Sequence, residues 1–200
     1  MKRTIPKLTK LANALLIVSV LLQFGYLIYR IYRSNELTDS HDVMRNFIDI
    51  FTLEMYMIVG SVAAPILFID LFSRQARGNM AGVTRSALLI LAIMVYEHWS
   101  AIQNIIAGQP LTQPVFIEIL MDLILPVIMV LSILTSFRPL AIISAIAAIA
   151  ITLYNLSILG ELNQVLGQES VAIVFVSETL YGLGLFFGLI GIKKVIRIVD

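Results

Sequence analysis

The stretch KRTIPKLTKLANALLIVSVLLQFGYLIYRIYR, residues 2–33, decides the fold class. Lys2, Arg3, Lys7 and Lys10 precede an apolar run that continues to Tyr29. A helix needs about 20 residues, rising about 1.5 Å each, to cross roughly 30 Å of hydrocarbon. This run supplies them. A secretory signal peptide has the same basic start, but it ends in a small-residue A-x-A-like cleavage site. No such site follows here, so the stretch reads as an uncleaved first membrane span. Tyr26, Tyr29 and Tyr32 mark its far end as interfacial anchors.

The same pattern recurs along the chain. Apolar runs predict spans at about 10–31, 48–72, 86–107, 114–136, 139–160 and 170–192. Hydrophobic residues make up 59% of the 200 residues and charged residues only 14%, against about 25% charged in soluble domains. Mean hydropathy is +0.93. The expected fold is an all-α integral membrane protein, a bundle of six transmembrane helices forming a single transmembrane domain over 1–200. The longest connection, near 33–47, has no room for a kinase, ATPase or nucleic-acid module. A net charge of +1 and the absence of basic runs argue further against a nucleic-acid partner. With no cysteine, disulfides, thiol chemistry and Cys-ligated metals are excluded.

Basic residues give the orientation. Lys2, Arg3, Lys7, Lys10, Arg74, Arg77, Arg85, Arg138, Lys193, Lys194 and Arg197 share one side of a six-span arrangement; Arg30, Arg33 and Arg45 take the other. The positive-inside rule then places both termini in the cytoplasm of a multi-pass cell-membrane protein. Small residues predict close helix packing: Gly184-x-x-x-Gly188 in span 6, Ala141-x-x-x-Ala145 and Ser144-x-x-x-Ala148 in span 5, and Gly60-x-x-x-Ala64 in span 2. Packing within the chain is the expected use, and homodimerisation through span 6 is the alternative. Pro65 and Pro126 sit mid-span and should disturb their helices.

The candidate site comes from the depth of the acids. At about 1.5 Å per residue, Glu54 lies roughly 9 Å below the outer end of its span, Glu97 roughly 15 Å, Glu118 roughly 6 Å, and Asp122 and Glu178 roughly 12 Å. Glu118 and Asp122 are i,i+4 on one face. No Lys or Arg lies at that depth within the spans, and unpaired carboxylates do not stay ionised in low dielectric. They call for protons, water or a cation. Intramembrane acids face a bundle interior or a wet cavity, so an acidic cavity open to the outside is expected. Glu97, Asp122 and Glu178 are its first candidate ligands or proton carriers; Glu54, Glu118 and His98 are the second rank. Asp70, one turn from Arg74 near the inner edge, reads as an interfacial ion pair.

Catalysis has little support in the residues. The two histidines, His41 and His98, give no H-E-x-x-H, and no G-x-S-x-G is present. No organic cofactor is implied, and no particular metal. The expected function is binding or translocation of a small solute or cation. The alternative is a non-catalytic membrane subunit, regulatory, assembly or immunity protein, whose acids contact a partner chain.

Overall fold

The computed structural model describes residues 6–36, 62–108, 116–117, 119–166 and 168–192. Among them the chain is all-helical. The helices are α1 (Lys7–Glu36), α2 (Ala64–Arg77), α3 (Met80–Glu97), α4 (Trp99–Ile106), α5 (Leu125–Thr135), α6 (Arg138–Leu166) and α7 (Gln168–Ile190). Three carry apolar segments long enough to cross a membrane: Lys7–Tyr29, Arg138–Ser157 and Ala172–Ile190. Met80–Tyr96 and Leu125–Thr135 are shorter apolar helices.

The burial pattern is inverted relative to a soluble domain. Leu21, Leu88, Ile143, Ile146 and Leu153 are at least 60% exposed, whereas Ser19, Ser86, Ser132, Ser144 and Ser177 are at most 2% exposed. Water would enforce the opposite arrangement. In hydrocarbon the outward face gains nothing from being polar, and small residues inside allow close approach. Helix α1 illustrates this. Its buried positions Thr9, Ala12, Leu16, Ser19, Gln23 and Tyr26 recur alternately at three and four residues, the spacing of a packing seam. Ile17, Val18, Leu21, Phe24 and Ile28 cover its exposed side.

The helices close a ring. Helix α1 packs between α2 and α7, α2 on α3, α3 on α5, α5 on α6, and α6 on α7. At the lower end α1 begins, the α2–α3 and α5–α6 turns fold back, and α7 stops. The α2–α3 turn is made by Gly78, whose left-handed φ of 75° needs no Cβ to be accommodated. The Gly78 and Asn79 amides donate to the carbonyls of Gln75 and Arg74, both at 3.0 Å. The Asn79 side chain then accepts from the Gly82 amide at 3.0 Å, capping α3.

The lower half is a dry core built around Phe68, Leu71 and Phe72 of α2, Val83, Ala87 and Ile90 of α3, and Met129, Val130 and Ile133 of α5. Ala141, Ala145 and Ala148 of α6 and Leu185 and Leu189 of α7 close it. Gly184 and Gly188 of α7 are used inside this core. A Cβ on Gly184 would lie 2.7 Å from Leu16 Cγ, and one on Gly188 would lie 2.3 Å from Phe72 Cε2.

Asp70 does more than the local ion pair expected of it. Its Oδ2 accepts from Arg74 Nε and from Ser86 Oγ, both at 2.5 Å, so it ties α2 to α3 across the turn. Asp70→Ala removes both. A hydrogen bond to a charged group contributes about 1.5–3 kcal/mol, and the Asp70 side chain is 40% exposed. The expected loss is therefore about 1.5 kcal/mol, the low end, read as a lower midpoint in thermal unfolding of purified protein. Ser86→Ala should reproduce part of that loss, and Arg85→Ala should not.

Candidate functional site

Above the core, the backbone is interrupted in two helices that carry candidate acids. The α3–α4 helical path breaks at His98, next to Glu97. His98 has φ −103° and ψ 17°. The Met94 carbonyl accepts from both the His98 amide, at 3.1 Å, and the His98 ring Nδ1, at 3.0 Å. A carbonyl only accepts, so Nδ1 carries a proton, and in the neutral ring Nε2 is left as the acceptor. His98 thus closes the end of α3 with its own ring.

The second interruption is a π-turn, Leu120–Ile124, with Asp122 at its centre. Pro126 follows in the first turn of α5. A proline ring clashes with the carbonyl four residues back and offers it no amide, and a widened turn relieves both problems. Residues 62 and 63 widen in the same way ahead of Pro65. The expected disturbance at both prolines takes this form.

Helix α3 packs against the π-turn. Counting from the lower end at about 1.5 Å per residue, Glu97 stands roughly 25 Å up α3, Asp122 roughly 20 Å above Thr135, and Glu178 roughly 18 Å above Ile190. By this count Asp122 and Glu178 lie at similar heights and Glu97 roughly 5–7 Å higher. For Glu97 and Asp122 the backbone is described and the side chains are not. Glu54 and Glu118 lie outside the described residues.

Glu178 is half-buried on α7, facing α1. Gln23 Nε2 donates to its Oε1 at 3.4 Å. The neighbouring contact is a pair of serines: Ser19 Oγ donates to the Ser177 carbonyl at 3.0 Å, and Ser177 Oγ to the Ser19 carbonyl at 3.1 Å. Tyr181, one turn below Glu178, meets Phe68 edge-on with ring centroids 6.4 Å apart. Glu178 therefore stands where the polar α1–α7 seam meets the top of the apolar core.

Ser19, Gln23 and Ser177 give no charge signal in the sequence, because none is ionisable. A signal was present: Ser19 and Gln23 are polar residues at i,i+4 within a mostly apolar run. Among the described residues no group of three or more His, Asp or Glu is placed to hold a metal ion.

Comparison with known proteins finds no matching family model, no matching curated protein and no matching solved structure.

Proposed function

We propose that the chain is a six-span cell-membrane protein, with both termini cytoplasmic, that binds or translocates a small solute or cation in an acidic cavity open to the outside. Glu97, Asp122 and Glu178 are its principal ligands or proton carriers, with Glu54, Glu118 and His98 around them. The observation that carries this reading is the backbone of spans 3 and 4. Glu97 adjoins a helix break, Asp122 sits in a π-turn, and the two elements pack together. Interrupted helices at membrane depth are tolerated where they are buried in protein or line a cavity, and discontinuous helices form the ion and substrate sites of many transporters. Below them, Phe68, Phe72, Ile90 and Met129 fill the lower half. A cavity above that plug has access from the upper side.

The orientation draws on the placement of the bases. Lys7, Lys10, Arg74, Arg77, Arg85 and Arg138 all lie within two turns of the lower end, whereas Arg30 and Arg33 lie in the last two turns of α1 at the opposite end. The lower end is then the cytoplasmic face. The absence of native cysteine makes the test free of background. Single cysteines at Gln109 and Gln164 should react with an impermeant thiol reagent in intact cells, and one at the exposed Arg77 should react only after lysis. Labelling at Arg77 alone in intact cells would invert the orientation and move the cavity to the cytoplasmic side.

Ligand binding is tested on purified protein by thermal shift against inorganic cations and cationic metabolites between pH 5 and 8. Stabilisation by one of them supports the reading. If none shifts the protein and a second protein co-purifies with it, the acids contact a partner chain instead.

A further inference from the structure

At the lower end, three segments distant in sequence enclose a groove of about 600 Å³. They are the start of α1 (Pro6, Lys7, Leu8), the α5–α6 turn (Ser136 to Pro139) and the end of α7 (Ile190 to Ile192). Its composition is amphiphilic in an ordered way. Lys7 and Arg138 stand exposed at the rim, and neither has a carboxylate partner among the described residues. Leu8, Phe137 and Ile190 form an exposed apolar wall, while Ser136 and Ile192 are buried at the floor.

Two helices also begin here. The first backbone bond of α1 runs from the Lys10 amide to the Pro6 carbonyl, and that of α6 from the Ala141 amide to the Phe137 carbonyl, both at 3.0 Å. The preceding amides have no intrahelical acceptor and carry the positive ends of two helix dipoles. Two cations and two helix starts at the rim favour an anion, and the apolar wall favours a hydrocarbon chain. A free anion would use only the rim.

We propose that this groove binds an anionic phospholipid of the cytoplasmic leaflet, its phosphate between Lys7 and Arg138 and an acyl chain against Leu8, Phe137 and Ile190. Basic pockets between helices on the cytoplasmic side suit such headgroups. The bound lipid bridges α1, the α5–α6 turn and α7. The inference rests on the lower end being the cytoplasmic face, which the Arg77 labelling tests separately.

The experiment adds phosphatidylglycerol, phosphatidylcholine or inorganic phosphate to delipidated protein in neutral detergent, with bound lipid counted by native mass spectrometry and stability followed by thermal shift. Phosphatidylglycerol should bind and raise the melting temperature; phosphatidylcholine and phosphate should do so far less. Lys7→Gln with Arg138→Gln should weaken phosphatidylglycerol binding on the order of 30-fold, from the usual contribution of each base near an anionic surface. Both side chains are exposed, so the variant should fold. Lys10→Gln with Arg77→Gln removes the same charge from the same end outside the groove and should bind nearly as wild type. Equal losses in the two double variants would mean a diffuse surface effect and overturn the site. So would equal binding of the two lipids. An equal response to inorganic phosphate would reduce the groove to a simple anion site and overturn the lipid assignment.

Discussion

On the function proposed above, Asp122→Asn should abolish stabilisation of the protein by a cation while leaving the fold intact. A ligand present at about 100 times its Kd stabilises the folded state by about 2.7 kcal/mol. For a chain of this size that is roughly 5–10 °C in melting temperature. The substitution preserves shape and removes the charge. On the same proposal, in the absence of ligand the variant should melt at or above the wild-type temperature, because the site would then hold a carboxylate without its cation. Glu97→Gln should behave alike. The two losses should be non-additive if both acids serve one ion, since residues sharing a partner couple whereas distant sites do not. Additive losses would separate the two acids into different sites, despite the packing of α3 against the π-turn. If Asp122→Asn instead releases a co-purifying protein and changes no cation response, the acid belongs to an interface and the subunit reading replaces the binding one.

A large structural effect is expected at Gly188. Its missing Cβ leaves the space in which the Phe72 ring lies, and a methyl there would come within 2.3 Å of that ring. Phe72 is 2% exposed and enclosed by the core, so the ring has little room to move. Overpacking of this kind costs about 1–3 kcal/mol. Gly188→Ala should therefore lower the melting temperature by roughly 2–12 °C, and Gly188→Leu should prevent folding. Phe72→Leu should partly rescue Gly188→Ala, because the smaller side chain vacates the contested volume. Gly25, with open space around its Cβ position, is the internal control: Gly25→Ala should be neutral or slightly stabilising. If Gly188→Ala dissociated a dimer without lowering protomer stability, and Phe72→Leu gave no rescue, the span 6 glycines would serve an intermolecular face.

The sequence by itself determined the features that depend on local spacing. Apolar run length makes the helices, because the backbone in hydrocarbon must satisfy itself. Pro65 and Pro126 set where two of them widen, since the missing amide acts on the same chain four residues away. The Asp70–Arg74 pair was legible because i,i+4 places both side chains on one face whatever surrounds them. Only the tertiary structure decided which surfaces meet. Ser19 finds Ser177 across 158 positions of sequence. Ser86 joins Asp70 from the next helix, and Gly188 admits Phe72. The lower groove is assembled from three separate segments. Periodicity fixes which residues share a face of one helix but carries no information about the helix opposite. That choice is made by shape complementarity between packed helices, in which small uncharged residues such as Ser19 and Gly188 count for as much as the charges.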